Sequence, residues 1–373
     1  MIGNNFHRVY ISFGSNKGRR LENIIISLKE IEVQLGRIEK ISNLYLTKSW
    51  GFKSRDFYNG CLILKTKFSP SIVLRKIKSI ENSLGRIKSF NGKYFSREID
   101  IDILFFDDLI INSQELKIPH KQIHKRKFVL IPMLDLSPEL IHPESKHSIS
   151  QLLNKSNDEL EVRKIKNDKY YIPFWDKYSF ISIEGNIGVG KTTLSKSFKS
   201  HFNVELLNEN FKKNPFLIEF YQNPRKFSLK AEKFFLKDRI NQINAHFLIS
   251  KNTKTISDFW IGKSLVFAKN NLSKGSFEKF VKNFEKHNSN LRSPEIIIYL
   301  KQTTSRLKKQ IIKRGRSFEM EISNEYLNSI SNEYELIFSK KINFILIVLE
   351  PQEVLKLKNE QVQENLYRRL INL

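Results

Sequence analysis

A single cysteine, Cys61, stands among 373 residues. It excludes a disulfide within the chain and any cysteine-rich metal centre. No apolar run approaches the roughly 18 residues that a membrane span requires. The opening MIGNNFHRVYISFG also lacks a charged segment followed by an apolar core. A cytoplasmic protein with no membrane partner is therefore expected. Acidic residues are scarce as well, with 39 Asp and Glu against 64 Lys and Arg and a formal net charge of +25. Such an excess can mark a nucleic-acid binder. Here the lysines are scattered along helical faces among asparagine, isoleucine and phenylalanine, with no dense basic tail. Compositional bias explains the charge better, and nucleic acid is not expected as a partner. The length allows two or three domains at roughly 100–200 residues each. The motifs fit two, over 1–153 and 178–373, joined by a linker over 154–177, read as a tether whose one apolar patch, Tyr170-Tyr171-Ile172-Pro173-Phe174-Trp175, is expected to dock on a domain.

Residues 181–198 read ISIEGNIGVGKTTLSKSF, in which Gly185, Gly190, Lys191 and Thr192 satisfy G-x-x-x-x-G-K-[ST] between an apolar strand and a helical pattern. Glycines let backbone amides close around phosphate oxygens, Lys191 adds a cation, and Thr192 can offer its hydroxyl to Mg²⁺. Gly185, Asn186, Gly188, Gly190, Lys191, Thr192 and Thr193 are the candidate contacts to ATP. A chance glycine-rich strand-helix turn is the plain alternative, and nucleotide binding without catalysis is another.

Downstream, strand-like runs at 180–183, 204–207, 255–257, 295–300 and 343–349 alternate with helical patterns. This predicts an α/β domain with a doubly wound parallel sheet, whose ligands sit beyond the carboxyl ends of its strands. Glu209 and Asp258 fall there. One such carboxylate can accept a proton from an attacking hydroxyl and another can help place Mg²⁺. Either could equally be a helix cap or a loop acid.

The first half predicts strands at 9–13, 41–50 and 57–68, a helix over 21–35, and a second helix from Ser69-Pro70 to Gly85. A last strand, 97–105, alternates Ile99, Ile101 and Ile103 with Asp100 and Asp102, so that two carboxylates share one face. Mg²⁺ between them and phosphate oxygens would relieve their repulsion; an ordinary exposed strand face would show the same alternation. The order β-α-β-β-α-β is the split βαβ, ferredoxin-like α+β pattern.

Together with GSN at 14–16, the loop over 47–59, Leu84-Gly85-Arg86, Arg97-x-x-Asp-x-Asp, Pro119-His120 and Arg126-x-Phe128-x-Leu130, that order resembles 6-hydroxymethyl-7,8-dihydropterin pyrophosphokinase over about residues 9–153. The resemblance implies that Asp100 and Asp102 hold two Mg²⁺ ions on ATP and that Arg97 and His120 handle its phosphates. It implies that Arg86 and Arg126 close over the phosphates, and that Thr47 and Asn59 hydrogen-bond the pterin. Phe128 and Phe57 would stack on the ring, and Glu81 would touch the adenosine side. The sequence departs from the pattern at Phe57, where a tyrosine is familiar, at Lys88, where an arginine is, and at Lys121, where an aromatic can occur. Lysine cannot reproduce the bidentate geometry of arginine, so altered affinity is expected.

In the second half, the phosphate loop is followed by Glu209-Asn210 and by Asn214-Pro215-Phe216 with Tyr221-x-x-Pro224. Phe234-Phe235-Leu236-x-x-Arg239, Lys263-Ser264-Leu265-x-Phe267-Ala268 and Lys313-Arg314-Gly315-Arg316 then follow in order. This set resembles a bacterial deoxynucleoside kinase over roughly 180–349. The resemblance implies that Glu209 activates the 5′-hydroxyl that attacks the γ-phosphate of ATP, while Tyr221 and Glu319 hold the 3′-hydroxyl. Glu232 and Arg239 would face the base, with a purine, deoxyadenosine first, as the favoured substrate. Arg314 and Arg316 would neutralise the transferring phosphoryl from a lid, and this half would form a homodimer. Phe259 departs from a familiar arginine, and Lys263 is the candidate to supply the missing charge.

The expectation is a bifunctional transferase using ATP and Mg²⁺ in both halves, making AMP in the first and ADP in the second. Its rivals are a basic nucleic-acid-binding protein built on a phosphate loop, and a chain with one catalytic half and one regulatory or dimerising half.

Overall fold

The computed structural model describes residues 6–49, 54–86, 95–166, 170–249, 252–340 and 343–373. It falls into two compact units: Met1–Lys177 with Ser200–Asn203 and Glu364–Leu373, and Tyr178–Lys199 with Val204–Gln363.

The first unit runs β1 (His7–Ser15), α1 (Arg20–Gln34), β2 (Arg37–Ile41), β3 (Tyr45–Thr47), β4 (Phe57–Thr66), α2 (Pro70–Ser83), β5 (Asp100–Phe106), β6 (Ile111–Asn112), β7 (Lys117–Ile118), α3 (Lys127–Leu136), α4 (Ile149–Asn154), β8 (Val162–Lys164) and α5 (Phe174–Lys177). Its antiparallel sheet has the order β5-β1-β4-β3-β8, with β2 also on β4. Period-two alternation in β1 sends Val9, Ile11 and Phe13 into a core with Ile24, Leu28 and Ile31 of α1 and Ile77 and Ile80 of α2. On the opposite face Tyr10 joins Ile63, Leu104 and residues of α3 and α4. Ile101 and Ile103 face the α1 and α2 side, which turns Asp100 and Asp102 away from it.

Two features differ from the sequence-based expectation. Of the strand expected over 41–50, whose last residue lies outside the described residues, only Tyr45–Thr47 forms β3; β2 starts earlier and ends at Ile41, where Ser42 replaces a ladder carbonyl with its own hydroxyl. Ser42 Oγ accepts from the Cys61 amide at 2.9 Å, and Asn43 turns to Asp135 of α3. The stretch 154–177, expected as a linker, is built into the first unit. β8 pairs with β3, the Asp158 carboxylate accepts from the Lys127 amide at 2.8 Å, and Tyr171, Phe174 and Trp175 are buried. Burial of those aromatics outweighs the polar composition around them.

The second unit contains β9 (Phe180–Gly185), α6 (Lys191–Phe202), β10 (Glu205–Leu207), α7 (Leu217–Gln222), α8 (Pro224–Ile249), β11 (Thr255–Ser257), α9 (Lys263–Asn271), α10 (Lys274–Asn288), β12 (Ile296–Leu300), α11 (Thr304–Arg314), α12 (Asn324–Phe338), β13 (Ile345–Leu349), α13 (Pro351–Leu355) and α14 (Glu360–Ile371), the ends of α6 and α14 counting with the first unit. Five strands pair in parallel in the order β10-β11-β9-β12-β13. β9 and β12 are buried throughout, as expected for a parallel sheet covered on both faces. The carboxyl ends of β9, β10 and β11 therefore lie side by side, and they deliver the phosphate loop, Glu209 and Asp258 to one edge. No helix among the described residues is long and apolar enough to cross a membrane.

Candidate active sites

In the first unit, one cleft is lined by Thr47, Phe57, Asn59, Arg97, Asp100, Asp102, Arg126 and Phe128. Antiparallel register places Gly14 opposite both Asn59 and Asp100. A side chain at Gly14 would overlap Asn59 Oδ1, so glycine is required for Asn59 to reach Thr47 Oγ1 at 2.7 Å. Asp100 meets Arg97 at 2.8 Å and Arg86 at 2.9 Å. Asp102 meets Arg126 at 3.3 Å, with His120 Nε2 at 3.9 Å. Burial and the neighbouring Asp102 push the Asp100 carboxyl up, against the pull of Arg97 and Arg86. Burial holds the His120 imidazole below its usual range. Phe57 and Phe128 are half-buried, and Arg126 sits 5.7 Å from the centre of the Phe128 ring.

Glu81 is the residue that the resemblance sets on the adenosine side. It is buried on α2, accepts from the Ile101 amide at 2.8 Å and pairs with Arg86. Burial pushes its carboxyl up to about 7. It thus anchors the strand that carries the two aspartates from behind. Lys88 lies outside the described residues, and Lys121 is exposed beside His120.

In the second unit, a cavity of about 560 Å³ collects the phosphate loop, Glu209, Tyr221, Glu232, Arg239, Asp258, Lys263, Arg314, Arg316 and Glu319. Gly185 has φ +145° and a side chain there would lie 2.6 Å from the Leu300 carbonyl, so the turn out of β9 admits only glycine. Gly188 and Gly190 also have positive φ, and Thr193 caps back to Gly190. Lys191 Nζ donates to the carbonyls of Gly185 and Asn186 at 2.7 and 3.0 Å. Desolvation lowers its pKa to about 8. Asp258 joins two elements, accepting from Thr192 Oγ1 at 2.6 Å and from the Glu209 amide at 2.7 Å.

Glu209 is gripped from two sides. Arg239 donates to its Oε1 at 2.6 and 2.8 Å, and Lys263 donates to its Oε2 at 2.6 Å. Burial alone would raise this carboxyl, but Lys263 and Arg239 outweigh it and hold the group well below the usual carboxylate range. Arg239, expected near the base, is thus directed to Glu209 and Ser264. Phe259 is fully buried in an apolar cluster that includes Leu236, Ile243 and Phe280. Arg314 and Arg316 both pair with Glu319, and Tyr221 packs on Phe318.

Sequence reasoning missed Glu184. This fully buried carboxylate accepts from the Gly185 and Trp260 amides and from the Tyr334 hydroxyl, so it ties the phosphate loop to α12. Asn186 does the same, donating to the Leu327 carbonyl at 2.7 Å and Ser331 at 2.8 Å. A polar residue inside an apolar strand was the available signal for Glu184. Nothing in the sequence points from it to Tyr334.

Residues 10–138 match the family model for 7,8-dihydro-6-hydroxymethylpterin-pyrophosphokinase, and residues 181–373 match that for deoxynucleoside kinase. Over 136 residues the chain is 43% identical to the 2-amino-4-hydroxy-6-hydroxymethyldihydropteridine pyrophosphokinase of Aquifex aeolicus, covering 36% of this chain and 83% of that one. Over 160 residues it is 39% identical to the deoxyguanosine kinase of Bacillus subtilis, covering 42% of this chain and 77% of that one. A solved structure of deoxyadenosine kinase from M. mycoides, with products dCMP and a flexible dCDP bound, is similar with a TM-score of 0.45 and 25% identity, covering 52% of this chain and 98% of that one.

Proposed function

The chain belongs to the 7,8-dihydro-6-hydroxymethylpterin-pyrophosphokinase and deoxynucleoside kinase families, and from that premise we propose which side chains do the work in each half. It is a bifunctional transferase. The first half transfers pyrophosphate from ATP to 6-hydroxymethyl-7,8-dihydropterin, leaving AMP, and the second transfers the γ-phosphate of ATP to the 5′-hydroxyl of a deoxynucleoside, leaving ADP.

In the first half, Thr47, Asn59, Phe57 and Phe128 take the pterin, with the rings stacking and the Asn59–Thr47 pair reading its polar edge. The strand order of that unit favours a ferredoxin-like reading. Asp100 and Asp102 would hold Mg²⁺. Their fit lies in two hard oxygen donors on one face of β5, lining the same cleft as Arg97 and Arg126, the donor type that Mg²⁺ takes together with phosphate oxygens and water. When bound, the ion supplies positive charge to the transferring phosphates. Arg86, Arg97 and Arg126 add charge around the same carboxylates, and His120, kept neutral by burial, offers a hydrogen bond rather than a charge.

In the second half, Thr192 and Asp258 would hold Mg²⁺ in a doubly wound P-loop fold. Glu209 orients the 5′-hydroxyl and takes its proton. Its depressed pKa suits orientation more than strong base catalysis, and a loose phosphoryl-transfer transition state asks for little base strength. Arg314 and Arg316 meet the charge on the moving phosphoryl group, and Tyr221 and Glu319 take the sugar. The acceptor is a purine deoxynucleoside, a reading supported by the name of the Bacillus subtilis relative. We place the protein in the cytoplasm as a homodimer through this half, a state that light scattering reads directly.

The observation that carries the kinase assignment is the convergence of the phosphate loop, Glu209, Asp258 and both lid arginines on one cavity. Nucleotide product analysis on the full-length chain tests both halves. AMP should appear only with the pterin and ADP only with a deoxynucleoside. A product at background across the full substrate panel would remove the activity from that half.

A further inference from the structure

The loop after β1 holds a buried carboxamide that the proposed pterin and phosphate contacts leave without a task. Asn16 is 1% exposed and follows Gly14-Ser15 directly. Its backbone amide donates to the Arg97 carbonyl at 3.2 Å, and its side-chain Oδ1 accepts from the Arg97 amide at 2.7 Å. The pairing of β1 with β5, which ends at Gly14 and Asp100, is thereby carried on to Arg97. Arg97 in turn reaches Asp100 at 2.8 Å. On the other side of the carboxamide, Nδ2 donates to Ser54 Oγ at 2.9 Å, to Ser96 Oγ at 3.2 Å and to the Arg55 carbonyl at 3.3 Å. Residues 54–55 lead into β4, whose Phe57 and Asn59 line the cleft.

We propose that Asn16 is a positioning residue that couples the two substrates of the first half, tying the segment that brings Arg97 to the phosphates to the segment that brings Phe57 to the pterin. The inference rests on the reading of this cleft as the site for pterin and ATP. The bonds themselves fix which way the carboxamide faces. The Arg97 amide can only donate, so it needs Oδ1, and the Arg55 carbonyl can only accept, so it needs Nδ2. Turning the group over would set donor against donor and acceptor against acceptor in a buried place. Asparagine supplies both faces from one planar group. An aspartate would have no hydrogen to give to Arg55.

Because one side chain holds both segments, fixing one of them helps to fix the other. The same loop grips the pterin-side segment twice more, through the Arg20 guanidinium, which donates to the Asp56 carbonyl at 2.6 Å, and through the Gly18 carbonyl, which accepts from Arg55 at 3.3 Å. Those bonds hold 55–56 to the loop, and Asn16 adds the link to Arg97. A nucleotide that engages Arg97 therefore restricts 54–55 before the pterin arrives, and the pterin has less of the segment left to order. The effect is reciprocal, since pterin must tighten the nucleotide by the same factor.

Calorimetric titration of the full-length chain with 6-hydroxymethyl-7,8-dihydropterin tests this, with and without saturating Mg²⁺ and an ATP analogue that carries a methylene group between the α- and β-phosphorus atoms. The methylene blocks the bond that pyrophosphoryl transfer breaks, so binding is read without turnover. The analogue should tighten pterin binding about tenfold or more in the unaltered protein. That factor should fall to about one in Asn16→Ala, and also in Asn16→Asp, which keeps the acceptor for the Arg97 amide and loses the donations from Nδ2. Weaker binding of both ligands with an unchanged factor would mark a merely structural role and overturn the inference. A factor of about one in the unaltered protein overturns it as well. Ser54→Ala combined with Ser96→Ala removes two acceptors of Nδ2 and spares Asn16 and Arg97. It should reduce the factor about threefold, and no reduction there overturns the inference even if the Asn16 variants do not fold. No pterin binding under any condition would sink the reading of the cleft and the coupling with it. AMP formation with a factor unmoved by these variants leaves that reading standing and removes only the role of Asn16.

Discussion

Lys263 Nζ lies 2.6 Å from Glu209 Oε2, whereas the ring of Phe259 is buried in an apolar cluster. On the role proposed for Glu209, the lysine supplies the positive charge that Phe259 cannot. Lys263→Met is expected to lower kcat/KM for the deoxynucleoside by roughly 10–100-fold while AMP formation from the pterin persists. Because Lys263 is the largest of the charges that hold the Glu209 carboxyl down, the acid limb of the kinase pH profile should also move to higher pH. Turnover and acid limb both unchanged would show that the lysine does not replace the missing arginine.

Asp102 carries the companion prediction for the first half. Asp102→Asn keeps the shape of the side chain but gives Arg126 a neutral partner and removes a charged oxygen donor. AMP formation should fall roughly 100-fold or more, the scale for losing one charged group at a charge-stabilising site, while ADP formation with a deoxynucleoside is retained. Chelation of divalent cations should stop both products. A chelated enzyme still forming AMP would count against the assignment of Asp100 and Asp102 to Mg²⁺.

Gly14 gives a test that involves no charge. Gly14→Ala pushes a methyl group onto Asn59 and breaks the Asn59–Thr47 hydrogen bond, so KM for the pterin should rise about tenfold, one unmade buried hydrogen bond, with a smaller change in KM for ATP. Overpacking of this kind also costs about 1–3 kcal/mol of stability. Equal changes in both KM values would place the damage in the fold at large and not in the pterin edge.

How far the sequence reaches is visible in these residues. Alternation alone puts Asp100 and Asp102 on one face, because Ile101 and Ile103 claim the other for the core. The parallel strands of the second unit are legible from their short apolar runs between helical patterns, and with them the positions of Glu209 and Asp258. Contacts between distant elements are not legible. Glu81 turns inward because the Ile101 amide needs an acceptor there, and Arg239 turns to Glu209, 30 residues away. The division at Ser42 depends on a hydroxyl meeting Cys61, and the built-in stretch after α4 depends on β3 having a free edge for β8. None of these is a local preference, so no periodicity announces it.

The same stretch leads to a prediction about stability. Glu32, fully buried on α1, accepts from the Tyr171 hydroxyl at 2.5 Å and the Phe174 amide at 3.1 Å, both on Oε2. Burial pushes this carboxyl up to about 7, against about 4.3 in an unfolded chain. Between those values the unfolded chain has released a proton that the folded chain keeps, so stability falls as pH rises, by roughly 3–4 kcal/mol across the window. Glu32→Gln retains an acceptor for Tyr171 and Phe174 and carries no ionisable proton, so it should remove that slope. The variant should withstand heat better than the unaltered protein at about pH 8 and no better at about pH 5, read as pterin-dependent AMP formation remaining after heating. A variant that gains nothing at the higher pH would mean that the Tyr171 and Phe174 bonds already hold Glu32 as a carboxylate. The anchoring of 170–177 would then rest on a charge-assisted pair and not on a buried neutral acid.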